Sequence, residues 1–371
     1  MRIGVPRECK AQEYRVGLTP QAVAQLTQRG HLLVVERGAG LGSGYRDDDY
    51  LQAGAQCVDS AAELYDSAEL VVKVKEPQPG ELALLRRDQL LFCYLHLAPD
   101  AALTDALLAS GVTAIAYETI ADEAGRLPLL KPMSEIAGRL SVQAGAHCLE
   151  TAQGGRGVLL GAVADLSPGR VLVLGGGVVG GQAADVALGM GANVAVLEPS
   201  LERRNQLVSR FNSSRLAVLD TLRHEDVLPQ VDMVIGAALV PGARAPQLLR
   251  REHLPLMREG AVLVDVAVDQ GGCFESSRPT THQQPTFVEQ GVLHYCVANM
   301  PSAVSRTASL ALSHATLGYV QRLAETPLTQ VAATQGLSEG INIAAGKLYC
   351  RAVAEAQGRP LSDIAGLREQ G

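Results

Sequence analysis

The chain has 371 residues, 47% of them hydrophobic and 19% charged, with a net charge of −7. This balance describes a globular protein with room for two domains and excludes a disordered or fibrous one; with no concentrated basic surface, nucleic acid is not the expected partner. The start, Met1 to Pro6, has no apolar signal core, no stretch reaches the roughly 18–20 apolar residues of a membrane span, and seven scattered cysteines without metal-type spacing read as reduced thiols of a cytoplasmic protein with no metal site.

In chain order, short β-branched runs at 2–6, 31–36, 70–74, 90–95 and 112–117 read as strands. Helical periodicity at 20–29, 48–53, 81–87 and 101–110 separates them. Repeated β-then-α units of this length imply a parallel sheet covered by helices. After Pro128-Leu129-Leu130-Lys131-Pro132, Ser134 is a candidate cap for a long helix running to about 151, with Ile136, Leu140, Ala144 and Cys148 along one face. A Gly-rich loop follows at 154–161, and then a second series of strands at 170–174, 193–198, 216–219, 232–237, 261–268 and 293–297. From about 306 onward the chain reads as helical, without new strands.

The strand candidate at 170–174 runs straight into Gly175-Gly176-Gly177-Val178-Val179-Gly180 and then into a helical stretch at 182–190. This is G-x-G-x-x-G in its strand-to-helix setting. The first glycine permits the tight turn, the second lets backbone approach a pyrophosphate, and the third lets helix and strand pack closely. The helix N-terminus adds amides and a positive dipole end. The next strand ends in Glu198, 18 residues after Gly180, where a carboxylate is expected on the adenosine ribose; an acid there repels a 2′-phosphate, so NAD is expected rather than NADP. Beyond it, the strand at 261–268 leads into Asp269, and that at 293–297 into Asn299 and Met300. At such strand ends an acid and an amide suit a nicotinamide ribose or a substrate, and equally suit a turn.

Chemistry on a small amino acid also needs a cation for the carboxylate, a polariser for the carbonyl and a proton carrier. Arg15 lies in the loop after the first strand, Lys73 and Lys75 close another, and His96 follows the apolar run at 90–95. Alternation places the two lysines on one side. An arginine fork suits a carboxylate and an imidazole suits proton transfer near neutrality. Each residue alone also has a plain structural reading, and spacing does not make them converge.

At these residues the chain resembles the alanine dehydrogenases, a branch shared with the soluble subunit of proton-translocating transhydrogenase. The resemblance runs from Met1 to about residue 355 and rests on Gly4-Val5-Pro6-Arg7-Glu8, Tyr14-Arg15-Val16-Gly17-Leu18-Thr19-Pro20, Lys73-Val74-Lys75-Glu76-Pro77, Tyr94-Leu95-His96-Leu97, Pro132-Met133-Ser134-Glu135, Gly154-Gly155-Arg156-Gly157 and Val240-Pro241-Gly242-Ala243, with further matches at 265–274, 277–281 and 297–301. It implies an α/β fold of two doubly wound Rossmann-like domains with parallel sheets, linked by long helices. Residues 1–130 with 306–371 would form the substrate domain, and 131–305 the NAD-binding domain.

The resemblance also implies roles. Arg15 would grip the substrate carboxylate, Lys75 would polarise the keto oxygen, and Met300 would lie beside pyruvate. His96 and Asp269 would manage protons. Ser134, Glu198 and Asn299 would contact NAD together with Gly175, Gly177, Val178, Val179 and Gly180. Position 198 is Glu where the family usually has Asp, and Ser313-His314-Ala315-Thr316-Leu317-Gly318 departs from its usual Thr-Asn-Ala-Thr-Leu-Pro. The expected reaction is the reversible oxidative deamination of L-alanine to pyruvate and ammonium in a cytoplasmic homohexamer. Three other readings share parts of the pattern: a transhydrogenase subunit passing hydride to a partner protein, a saccharopine-type enzyme with larger substrates, and an NAD-binding protein without catalysis.

Overall fold

The computed structural model describes residues 1–238 and 245–368, so Val240-Pro241-Gly242-Ala243 lies outside the described residues. The chain divides into two compact units, Met1–Met133 with Ser302–Gly371, and Ser134–Pro301.

The first unit opens with six strands: β1 (Arg2–Val5), β2 (Leu32–Glu36), β3 (Gln56–Val58), β4 (Leu70–Val72), β5 (Leu90–Cys93) and β6 (Thr113–Ala116). All pair in parallel, in the order β3-β2-β1-β4-β5-β6. Parallel strands need crossovers, and the intervening sequence supplies them with clear stop and start signals. Asp100 accepts from the Leu103 amide at 2.9 Å to open the helix Ala101–Ser110, which closes on Gly111 in the left-handed region. Ser60 caps the helix Ala61–Ser67 in the same way. The apolar sides of these elements form one core, with Leu64, Val71, Leu91, Leu103 and Leu107 all buried.

The second unit holds β7 (Arg170–Leu174), β8 (Asn193–Leu197), β9 (Leu216–Leu219), β10 (Met233–Gly236), β11 (Val262–Asp265), β12 (Thr286–Glu289) and β13 (Val292–Tyr295). Their order is β12-β13-β11-β10-β7-β8-β9, parallel except for the antiparallel edge strand β12. β10 and β11 are buried at every position, as a sheet covered on both faces requires.

Three expectations need correction. The region after 306 is not purely helical. Beyond the long helix Ser305–Glu325, β14 (Ile341–Ala344) pairs antiparallel with β6, and β15 (Lys347–Leu348) pairs with β14, extending the first sheet. The link between them is Ala345-Gly346 with φ of 48° and 71°; positive φ at both central residues matches the twist of a two-residue hairpin. Ser134 does not cap the long helix, which spans Lys131–Cys148 with Pro132 in its first turn, a place where the missing amide hydrogen costs nothing. Finally, the helix expected at 81–87 is a single turn, Pro79–Leu82, started by its proline.

Candidate active site

In the first sheet, strand order reverses between β1 and β4. The chain leaves β1 toward β2 on one side and β4 toward β5 on the other. Connections that diverge in this way leave a crevice outside the carboxyl ends of the two strands. The segments following β1, β4 and β5 carry Arg15, Lys75 and His96 respectively.

Arg15 is 2% exposed. Its Nε and Nη2 donate to the two carboxylate oxygens of Glu13 at 2.7 and 2.5 Å, and Nη1 lies 3.2 Å from Met133 Sδ. Burial opposes the charge, but the paired carboxylate outweighs it and keeps the guanidinium protonated. The loop is tied down by hydroxyls of the long helix: Val16 and Thr19 donate their amides to Ser309 and Ser313 at 3.0 and 3.1 Å. Ser313, one of the departures from the family pattern, thus has a holding role.

Lys75 is half-buried. Desolvation and the neighbouring cations Arg15 and Lys10 lower its pKa. Lys10 is in turn held by the carboxylate of Glu76. His96 is shifted the same way, by the crowding of protein around it and then by the ammonium of Lys75, with Glu76 opposing. The His96 side chain is exposed, and the cations Lys75, Lys10 and Arg15 push in the same downward direction. The imidazole is therefore neutral at neutral pH, the form that accepts a proton. Its backbone has a φ of 50°, a left-handed conformation costing of order 1–3 kcal/mol for such a residue. The Tyr94 ring lies 5.9 Å from the imidazole, and its hydroxyl donates to the Leu129 carbonyl at 2.7 Å.

Lys73 has different partners. It is fully buried, 2.6 Å from Glu81 and 3.4 Å from Glu8. Both carboxylates have further donors: Tyr65 Oη on Glu81 at 3.0 Å and the Val74 amide on Glu8 at 2.6 Å. The pairing of Lys73 with Lys75 by alternation is corrected here, because regular strand ends at Val72. Lys73 belongs to a buried ion cluster under the strand ends. Removing it strands two buried carboxylates, so Lys73→Met is expected to cost about 3–5 kcal/mol of stability. Chemical denaturation of the purified variant checks this; an unchanged midpoint would contradict it.

The second unit reverses strand order between β7 and β10. The glycine loop follows β7, and the helix Val178–Gly189 starts immediately after Gly177. Gly175 has a φ of 106°, and a Cβ on it would stand 2.9 Å from the Ala237 carbonyl oxygen. A Cβ on Gly180 would collide with the Gly175 carbonyl, whereas one at Gly177 would meet open space. The first and third glycines are thus needed by the fold itself, and the second fronts a vacant approach to the helix N-terminus. Such a cradle fits a dinucleotide pyrophosphate. Glu198, 4% exposed, accepts the amides of Gly176 and Ser200 at 2.9 Å each. A carboxylate has about four lone-pair sites, so acceptor capacity for two ribose hydroxyls remains.

Also in this unit, Asp269 is exposed and accepts the Asn299 amide at 3.3 Å, Asn299 having a φ of 57°. Met300 is 3% exposed. The Asp269 segment is stapled by Asp265 at the end of β11, which accepts from Ala267, Cys273 and Phe274 amides at 3.0, 2.9 and 3.4 Å and from Ser277 Oγ at 2.5 Å. Ser134 is half-buried at the start of this unit.

The structure thus brings Arg15, Lys75 and His96 together in the first unit, and Asp269 and Asn299 together in the second. Sequence reasoning missed Glu13, Glu76, Glu118 and Asp265. Glu13 had a local signal, lying two residues from Arg15. Glu118 acts on a strand end that is its neighbour only in the folded sheet, Glu76 pairs with Lys10 from the segment after β1, and Asp265 gathers donors from its own following loop. Among the described residues no cluster of three or more His, Cys, Asp or Glu side chains could hold a metal, and no helix is long and apolar enough to cross a membrane.

Comparison with known proteins matches residues 4–137 to the family described as "Alanine dehydrogenase/PNT, N-terminal domain" and residues 141–351 to "Alanine dehydrogenase/PNT, C-terminal domain". A protein of Halomonas elongata named alanine dehydrogenase is 52% identical over 99% of this chain and 100% of its own length. A solved structure described as L-alanine dehydrogenase superposes with a TM-score of 0.93 at 51% identity, covering 96% of this chain and 99% of that one. A transhydrogenase structure from Sinorhizobium meliloti superposes with a TM-score of 0.82 at 23% identity, over 95% of this chain and 100% of that chain, a likeness of fold.

Proposed function

The chain belongs to the alanine dehydrogenase/PNT family, and we propose that it interconverts L-alanine with pyruvate and ammonium, using NAD. The observation that carries this reading is the cationic group at the first switch point, where Arg15, Lys75 and Lys10 act on a neutral His96. A protein that only bound a dinucleotide would have no use for a buried guanidinium and a lowered lysine in the other unit.

In this reading, Arg15 holds the substrate carboxylate. Its Nε edge is committed to Glu13, so a carboxylate would meet the fork from the Nη side. Bound NAD supplies the hydride acceptor for the alanine α-carbon. His96 takes a proton from the water that adds to the resulting imine and returns one as the carbinolamine collapses to pyruvate and ammonia. Lys75, as an ammonium, donates to the oxygen on which negative charge develops. Asp269 is assigned to proton handling near the departing nitrogen, and Met300 to the pyruvate pocket.

The substrate carboxylate would also offset the positive field that holds the His96 pKa down. The imidazole then gains basicity when substrate is present.

For the cofactor, Gly175, Gly177, Val178, Val179 and Gly180 would receive the pyrophosphate. Glu198 would receive the adenosine ribose, and Ser134 and Asn299 would make further contacts. Arg203, whose side chain is 60% exposed, stands 4.0 Å from Glu198. Glu198→Ser removes the carboxylate that repels a 2′-phosphate and leaves this guanidinium beside it. The ratio of NADPH to NADH activity is expected to rise about tenfold or more, equivalent to ~1.4 kcal/mol; an unchanged ratio in steady-state assays would contradict the assignment.

The assembly is assigned as a homohexamer and the location as the cytoplasm. Supporting an assembly, Leu159, Val163 and Leu166 are 66%, 53% and 71% exposed within one short segment, apolar surface of the kind that subunit contacts cover. Light scattering coupled to gel filtration tests the hexamer.

A further inference from the structure

We propose that Glu118 is the positioning residue for His96, its carboxylate holding the imidazole in register with the site by clamping the backbone beneath it. This rests on the proton-transfer role given to His96 above.

Strand β5 ends at Cys93, and the Tyr94 amide still reaches the Val74 carbonyl at 3.0 Å. The next two amides are taken by one side chain from the turn that follows the neighbouring strand. Glu118 Oε1 accepts from Leu95 at 3.0 Å and from His96 at 2.6 Å, and Oε2 accepts from Leu95 at 3.2 Å. These bonds fall where His96 adopts a φ of 50°. Such a conformation in a non-glycine residue persists only where its surroundings over-determine it, and it tends to mark a functional site.

The clamp is itself rigidly seated. Glu118 lies in the single turn Tyr117–Thr119 that follows β6, the strand beside β5. Tyr117 is buried, donates its hydroxyl to the Lys73 carbonyl at 2.9 Å, and packs edge-on against Phe92 and Tyr94 with centroids 4.3 and 5.0 Å apart. On the other side, Thr119 Oγ1 donates to Asn342 Oδ1 at 2.9 Å. Asn342 belongs to β14, so the strand added by the C-terminal segment has a purpose at the site. It fixes the turn whose carboxylate fixes His96.

A double-variant cycle tests this. Glu118→Ala and Glu118→Gln are made alone and together with His96→Ala, and kcat for pyruvate amination is measured alongside KM for pyruvate and NADH binding. Alone, Glu118→Ala is expected to lower kcat about 100-fold, the scale of a displacement of roughly 1 Å at a reacting group. Glu118→Gln keeps an acceptor where Oε1 stands and is expected to lose about tenfold or less. In the His96→Ala background neither is expected to lower kcat further, because the group being positioned is gone. The thermal unfolding transition of each variant reports folding, because Glu118 lies in the first unit and the dinucleotide cradle in the second, and Glu118→Gln carries the cycle should the alanine variant not fold. An equal loss in both backgrounds overturns the proposal while leaving the role of His96 intact. A His96→Ala enzyme with full turnover overturns that role, and the proposal with it.

Discussion

Replacing His96 with alanine is expected to cut kcat by about 10²–10⁴-fold, the usual contribution of a positioned acid or base, while NADH binding persists. The separation follows from placement: His96 lies in the first unit, and the dinucleotide cradle is built wholly from the second. The stability of the variant is expected to change little, because an exposed side chain is removed. Full turnover in stopped-flow or steady-state assays would contradict the assignment.

Loss of Lys75 is the second large effect. Lys75→Met is expected to lower kcat/KM for pyruvate by about 10²–10³-fold, the scale for a donor aimed at developing negative charge. It carries a second signature. Lys75 is the foremost cation holding the His96 pKa down, so its removal lets the imidazole titrate at higher pH. In the proposed mechanism of alanine oxidation, His96 acts as the base and must be neutral. Activity therefore falls as pH drops through its pKa, and this acid limb is expected to move upward in Lys75→Met. A pH profile of residual activity reads the shift, and an unmoved acid limb would show that the two groups are not coupled.

Much of the fold was legible because buried parallel strands announce themselves. The runs that became β7, β10 and β11 are almost continuously apolar, and the glycines after β7 name their own turn. The hairpin of β14 and β15 was hidden for the opposite reason. Ile341-Asn342-Ile343-Ala344 is a four-residue alternation lying between helical segments, and only β6, some 225 residues earlier, makes it a strand. Register of that kind is a property of the sheet, which periodicity along one segment does not carry. The start of the helix Lys131–Cys148 was misplaced because Ser134 is a good cap by type, while Pro132 sets the first turn.

The site divides along the same line. Arg15, Lys75 and His96 were visible as residue types near strand ends, and the resemblance joined them. What turns them into one electrostatic unit was not visible: Glu13 filling one edge of the guanidinium, Lys10 and Glu76 beside Lys75, and Glu118 reaching across from the turn after the next strand. Lys73 looked equivalent to Lys75, and burial separates them. One is locked between Glu8 and Glu81, and the other stands among cations with a lowered pKa.

Substrate and cofactor choice together form the central claim, and one comparison tests both. NADH oxidation by the purified protein is followed with ammonium plus pyruvate, glyoxylate or 2-oxoglutarate in turn, and pyruvate is repeated with NADPH. The account predicts rapid turnover with pyruvate and NADH, and much slower turnover with 2-oxoglutarate or with NADPH. Turnover confined to a ketoacid other than pyruvate, or equal rates with NADPH, would contradict it.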